Sequence, residues 1–338
     1  MNRKQENKPL TEKDICVVIA TYNRNEDLDG TLRVMHKEKN SPGRILVVDQ
    51  SKDDKTKQVV NKHKKNLPVR YIHLKQPSSS MAKNRGINEA KKKYPIILIL
   101  DDDVDMLRGF LANIAKIFND NPKIMALGGV DPNPPVLNKN STLSNLVFKI
   151  FFLPANEHAK YKITGPYGVS SDPKVKGEIK DAQWLNGFNM AFRSEIFKNY
   201  KMPESKGYNV LEDIDSSYYI FRKYGSGSLL ITPKCRVHHR FSGTARYAER
   251  KRIFVNHEDH MYFYYQYFNN FSGTLKMAWS LTGIVAGNVL RYIFKPNAEN
   301  RSALKYNLQA ISYSIKNRKD IRKGKLRRFL NDDLSMKI

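Results

Sequence analysis

Cysteine is almost missing from this chain of 338 residues: Cys16 and Cys235 are the only two. That scarcity excludes a disulfide framework and a cysteine-rich zinc module. Acidic residues are also in deficit, 33 against 59 Lys and Arg, leaving a formal net charge of +26. Such a surplus calls for an anionic partner: nucleic acid, an acidic membrane surface or phosphorylated ligands. The opening MNRKQENKPLTEKD holds no apolar run, so no secretory signal is expected. With so little cysteine, this fits a reducing cytoplasmic setting. The glycosylation patterns at Asn140 and Asn270 carry no meaning there. A membrane-spanning run is lacking too. The uncharged stretch 277–290 is bounded by Lys276 and Arg291, and a spanning helix needs about 20 apolar residues. An interfacial or packed helix is expected instead.

Hydrophobic residues make up 40% of the chain and aromatics 11%, enough for a substantial core. The length suits one large α/β domain with an appendage, or two modest domains. Short β-branched runs recur at 16–23, 44–50, 69–74, 94–103 and 124–131, separated by helix-like segments at 25–38, 53–65, 80–93 and 107–119. Continuous apolar runs alternating with helices predict a Rossmann-like α/β fold with a buried, mostly parallel sheet. Ligands of such sheets bind at the carboxyl ends of the strands. There the chain places Thr21, Asn23 and Arg24, then Asp49, Gln50 and Ser51, then Asp101 to Asp103. Residues 132–182 read as a less regular excursion with a mobile loop at 165–180. Order is expected to return at 182–192, followed by a helix over about 212–224 and a strand over 228–239.

Three carboxylates after the apolar run YPIILIL are an electrostatic puzzle, because burying each costs several kcal/mol unless a cation or donors compensate. A divalent metal answers it, since Mg²⁺ and Mn²⁺ take one or two carboxylates plus substrate phosphate oxygens. A solvated turn with helix-capping aspartates is the plainer alternative. A second acidic cluster, Leu211-Glu212-Asp213-Ile214-Asp215, opens the predicted helix at 212, where the helix dipole alone favours carboxylates. Functionally, one of them could serve as a general base.

The motifs VVIATYNR (17–24), VVDQSKDD (47–54), AKNRG (82–86), LILDDDV (98–104), WLNGFNMAF (184–192), LEDID (211–215) and VHH (237–239) resemble, in that order, the family 2 glycosyltransferases. The resemblance spans residues 14–242. It implies a GT-A fold and inverting sugar transfer from a nucleotide-sugar, UDP-sugar favoured, with Mg²⁺ or Mn²⁺ as cofactor. Thr21 and Asn23 would line the nucleotide pocket, Asp49 would bond the base, and Lys83 would lie near the base or diphosphate. Asp101 would approach the ribose and Asp103 the metal, with Asp102 between them. Trp184, Asn186 and Gly187 lie in the stretch facing the transferred sugar and acceptor. Asp213 would be the catalytic base, Glu212 would position the acceptor, and His238 or His239 would close on the metal. Lys83 stands where the family usually has arginine. The Gln-x-x-Arg-Trp signature of processive synthases is absent, which favours transfer of a single sugar.

Residues 243–338 read as a helical, basic C-terminal region. Its last part, 301–338, holds eleven Lys and Arg against three Asp. A basic segment after an amphipathic one suits an anionic membrane surface. The expected acceptor is therefore a glycan or lipid-linked glycan, handled at the inner face of the cell membrane. His257-Glu258-Asp259-His260 is not an HExxH zinc motif and is expected to be a solvated helix face, and MYFYYQYF (261–268) to be core or membrane-interface packing. Two other readings compete. A nucleotidyltransferase would ordinarily carry a glycine-rich phosphate loop near the first strand, which ATYNRNED lacks. A nucleic-acid-binding protein would exploit the positive charge, but no such module is visible, and no nucleic-acid partner is expected.

Overall fold

The computed structural model describes residues 8–39, 41–134, 142–205, 211–243, 248–327 and 329. The first part of the chain alternates β1 (Ile15–Thr21), α1 (Asn25–Lys37), β2 (Arg44–Asp49), α2 (Lys55–His63), β3 (Val69–His73), α3 (Ser79–Ala90), β4 (Ile96–Leu100), β5 (Val104–Met106), α4 (Phe110–Asp120) and β6 (Ala126–Val130). Then come α5 (Thr142–Ile150), β7 (Ala155–Asn156), β8 (Lys162–Ile163), β9 (Val169–Ser171), β10 (Asn189–Arg193), α6 (Glu212–Tyr224) and β11 (Leu229–His239). Four helices finish the chain: α7 (Glu249–Tyr267), α8 (Phe271–Phe294), α9 (Ala298–Lys316) and α10 (Arg318–Arg322).

Eight strands form one sheet in the order β3-β2-β1-β4-β10-β6-β11-β5. Antiparallel pairing is confined to β10, against β4 and β6, and to β5 against β11. The expected mostly parallel α/β architecture is therefore present. Alternate residues of each strand serve opposite cores. Val18, Val48, Ile97 and Ile99 join one cluster; Val17, Val47, Ile96 and Leu98 join the other. On the first face lie α3, α6 and Phe263 of α7, and on the second lie α1 and α4. Each wholly buried Val, Leu or Ile contributes roughly 1.5–3 kcal/mol. Glycine at 86 allows α3 to approach β1, since a Cβ there would fall 2.3 Å from Val18 Cγ1.

Two expectations require correction. Residues 142–182, read as irregular, hold helix α5 and a three-stranded sheet in the order β7-β9-β8. The strands are only two or three residues long, too short for a period-2 pattern to register. The Pro/Gly/Ser/Lys-rich stretch 165–180 lies within the described residues and contributes β9. The second correction concerns His257 to His260, which are all buried rather than solvated. Glu258 and Asp259 pair with Arg327, and His260 Nδ1 faces the Pro166 carbonyl at 2.7 Å. Pro135, Asn140 and residues 330–338 lie outside the described residues. Asn270 is the N-cap of α8, its side chain accepting from the Gly273 N–H.

Candidate active site

The carboxyl ends of β1, β2 and β4 converge because these strands are parallel neighbours in register, Thr21 opposite Asp49 and Ile19 opposite Leu100. The insertion of β10 beside β4 adds the residues just before it, and the Asp101 N–H donates to the Phe188 carbonyl at 3.1 Å. On the other side β11 pairs with β5, His239 opposite Val104 and His238 opposite Asp105. That register brings β11 to the aspartates. Arg240 N–H donates to the Asp103 carbonyl at 3.0 Å, and Ser242 N–H to Asp103 Oδ2 at 2.9 Å.

Strand alternation separates the two histidines. The His238 side chain is 52% exposed and its Nδ1 lies 3.5 Å from Asp131. His239 turns inward and places Nε2 3.2 Å from Asp103 Oδ1. Among the described residues, Asp101, Asp103 and His239 offer one ligand atom each within 4.8 Å of one another. Asp103 Oδ1 and His239 Nδ1 are buried without a hydrogen-bond partner of acceptable geometry. Two carboxylates and an imidazole with spare lone pairs suit Mn²⁺ or Mg²⁺. Asp101, expected towards the ribose, thus also lies within reach of a cation.

Asp102 turns away from this group. It accepts from Thr21 Oγ1 at 2.7 Å and pairs with Arg24 Nη1 at 2.7 Å, and Arg24 Nη2 reaches Asp103 Oδ2 at 2.7 Å. One guanidinium thus bridges two adjacent carboxylates. Burial pushes Asp102 up to about 7, against the pull of Arg24. Burial would raise Asp103 as well, but the His239 contact and the Arg24 charge hold it well below the usual carboxylate range. Asp101 is raised by burial, with Lys83 opposing.

The nucleotide-side residues are already engaged. Asp49 is wholly buried; its Oδ1 accepts from the Ser51 backbone and hydroxyl, and its Oδ2 accepts from Tyr71 at 2.8 Å. Asn23 holds a left-handed backbone (φ 54°), and its N–H donates to Ser51 Oγ at 2.8 Å. That conformation suits Asn better than most residues.

On the opposite side, Glu212 and Asp213 open α6. Lys83, expected at the base or diphosphate, instead forms an ion pair with Glu212, both side chains nearly buried. Burial would lower its ammonium, but the charges of Glu212 and Asp101 more than offset that. Ser79 Oγ also donates to Glu212, at 3.0 Å. Asp213 is only partly buried by its neighbours and accepts the Gly187 N–H at 3.1 Å and the Ile214 N–H at 2.8 Å. Burial pushes Asp213 up to about 7, and the Ile214 N–H and Lys83 only partly counter it. Asn186 donates to Tyr161 at 3.1 Å. Trp184 is a core residue: its ring packs on Tyr161 at 4.9 Å and its Nε1 donates to Ser170.

Sequence reasoning assigned no role to Arg24, Tyr161 or Arg240. Arg24 stood at a strand end, a signal that it could meet the aspartates. Tyr161 lies in the excursion read as irregular. Arg240 Nη2 donates to the Asp27 and Asp102 carbonyls, at 2.7 and 3.3 Å, and its Nη1 pairs with Asp105. Its only signal was its place next to the histidine pair.

Residues 16–171 match the profile of glycosyl transferase family 2. A relative, the poly-beta-1,6-N-acetyl-D-glucosamine synthase of Staphylococcus epidermidis, is 28% identical over 133 residues, which is 39% of this chain and 31% of the synthase. The match thus spans about a third of that curated relative. Among solved structures, a mannosyltransferase from Pyrobaculum calidifontis in complex with GDP-Man and Mn²⁺ is 12% identical with a TM-score of 0.52, covering 92% of this chain and 88% of that one. S. aureus TarS 1-349 is 14% identical with a TM-score of 0.51, covering 92% and 86%.

Proposed function

We propose that this chain is an inverting glycosyltransferase that moves one sugar from a nucleotide-diphosphate sugar, UDP-sugar favoured, to a glycan or lipid-linked acceptor, a reading supported by the match of residues 16–171 to glycosyl transferase family 2 and by the GT-A fold. The observation that carries this reading is the division of labour between two acidic sites. Asp101, Asp103 and His239 are a group that could hold a cation, and Asp213 stands apart from them, beside Glu212, with no ion pair of its own among the described residues.

Asp101, Asp103 and His239 would hold the Mg²⁺ or Mn²⁺. When bound there, the cation stabilises the departing diphosphate. Asp213 takes the proton of the acceptor hydroxyl as the oxygen attacks the anomeric carbon. Its shift to about 7 keeps it basic enough for that task near neutral pH. The N–H of Gly187 fixes the carboxylate from the sugar-facing loop. Glu212, held by Lys83 and Ser79, positions the acceptor. Thr21, Asn23, Asp49 and Asp102 shape the nucleotide side, and Asp101 is placed to meet both ribose and cation.

The product belongs to cell-surface polysaccharide or glycolipid synthesis, a reading supported by what the name of the staphylococcal synthase says of that enzyme. Residues 14–242 act as the catalytic domain, and 243–338 as a basic region that attaches to the anionic inner face of the cell membrane. Among the described residues no helix is long and apolar enough to cross a membrane. Thermal shift with UDP, GDP and TDP, with and without Mn²⁺, tests the reading. Metal-dependent stabilisation by one nucleotide supports it; no response to any nucleotide overturns it.

A further inference from the structure

Helix α8 buries Met277 and packs Leu281 and Ile284 against the core, but presents other large apolar side chains outward. Phe271, Leu275, Trp279, Leu290, Ile293 and Phe294 are between 46% and 84% exposed. Phe271, Leu275 and Trp279 recur every four residues at one end and Leu290, Ile293 and Phe294 cluster at the other; Met277 and Ser280 face inward, and Gly283, between the two groups, is covered by Phe151. Helix α5 behaves the same way: Leu143, Leu146, Val147 and Ile150 are 39% to 71% exposed at i, i+3, i+4 and i+7. The two helices adjoin, because Trp279 Nε1 donates to the Ile150 carbonyl at 2.8 Å and Trp279 stacks on Phe151 at 4.9 Å. So many exposed large apolar side chains on two adjoining helices are unusual for a surface left in water.

We propose that the α5–α8 face is the surface by which this chain lies on an anionic lipid bilayer. The proposal rests on the membrane reading above and locates it on these two helices rather than on the basic tail alone. Charge decides between occupants. Neither helix carries a single Asp or Glu. Arg291 and Lys295 stand exposed at its margins, Lys149 being paired with Glu157, and α9 and α10, the first of which packs on α8, add exposed Arg301, Lys305, Lys319 and Arg322 against the acidic Glu299 and Asp320. A second copy of a chain at net +26 would bring like charge against like. Anionic headgroups would meet these cations while the exposed apolar side chains enter the acyl boundary, with Trp279 at the interface. The face also sits beside the acceptor side of the site: β7 follows α5 directly, β9 pairs with it, and Ser170 of β9 accepts from Trp184. A lipid-linked acceptor would thus arrive from the membrane side.

Co-sedimentation of the full chain with phosphatidylcholine vesicles, with or without phosphatidylglycerol, tests this. Wild type should partition onto the anionic vesicles. The variants Leu146→Glu/Leu275→Glu and Ile293→Glu/Phe294→Glu should each lose roughly tenfold or more in partition with unchanged thermal melting, since these side chains are exposed. The tail variant Lys319→Glu/Arg322→Glu should weaken binding only severalfold. If the face variants bind like wild type while the tail variant does not, the face proposal is overturned and the membrane reading stands. If wild type binds neither vesicle, both are overturned. If wild type is a dimer without lipid and the face variants are monomers, the face belongs to a second copy and the lipid proposal fails.

Discussion

Asp213 and Gly187 are joined by a hydrogen bond from the Gly187 N–H to Asp213 Oδ2 at 3.1 Å, which ties the first turn of α6 to the loop before β10. That carboxylate oxygen is thereby oriented by a backbone N–H, and among the described residues no cation is in direct contact to quench its basicity. Asp213→Asn should lower transfer by roughly 100- to 10,000-fold, the usual contribution of a general base. Nucleotide affinity, set by the other strand ends, should hardly change. Transfer at near wild-type rate by this variant would remove Asp213 from the role of base.

The pH dependence has a definite sign. Burial raises Asp213 to about 7, so its protonated form, useless as a base, predominates below that pH. Transfer at saturating donor should fall as pH drops through about 7 and level off above it. A profile flat from pH 5 to 8 would contradict the assignment.

A side chain at 187 would crowd Asp213. A Cβ there would meet Asp213 Oδ2 at 3.1 Å and Asp213 Cβ at 3.3 Å. Gly187→Ala must displace the carboxylate by a few tenths of an ångström. A misplacement on the order of 1 Å can cost about 100-fold, so roughly tenfold in kcat is expected here. KM for the donor should stay nearly constant. A larger effect on donor KM than on kcat would place Gly187 at the nucleotide instead.

His238 and His239 should separate cleanly. His239→Ala removes a nitrogen facing Asp103 and should weaken Mn²⁺-dependent thermal stabilisation by roughly tenfold in affinity. His238, mostly exposed and turned to Asp131, should tolerate Ala with little change. The reverse ranking would disprove the orientation described for β11.

Much of this was legible in the sequence, for physical reasons that also explain what was not. Runs such as IILIL are apolar on both faces, as a strand covered on both sides of its sheet requires. Asp101 to Asp103 stood out because carboxylates at such a strand end demand compensation. Sequence left His238 and His239 equivalent, since alternation says that they diverge but not which one turns inward; pairing with β5 decides that. Lys83 was placed at the nucleotide by resemblance, yet its partner Glu212 lies 129 positions away, a separation no local pattern encodes. The burial of Glu258 and Asp259 was missed for the same reason, because Arg327 is a distant complement.

That complement yields the last prediction. The Arg327 side chain is 0% exposed and reaches Glu258 Oε2 and Asp259 Oδ1 at 2.6 Å each, while its backbone N–H donates to Glu258 at 2.9 Å. Removing one partner of a buried ion pair leaves uncompensated charge and costs roughly 3–5 kcal/mol. Arg327→Met should therefore unfold at markedly lower denaturant, and adding Glu258→Gln and Asp259→Asn should restore part of the loss by removing the stranded charges. The same contacts bear on where the catalytic unit ends. Phe263 of α7 is 2% exposed within the main core and packs on Tyr218 of α6 at 5.7 Å. A chain stopped at residue 242 would expose that core beside Asp213. It should be poorly soluble or lack a cooperative melt, and a stable, nucleotide-responsive 14–242 fragment would show instead that the helical region is an attachment rather than a wall of the site.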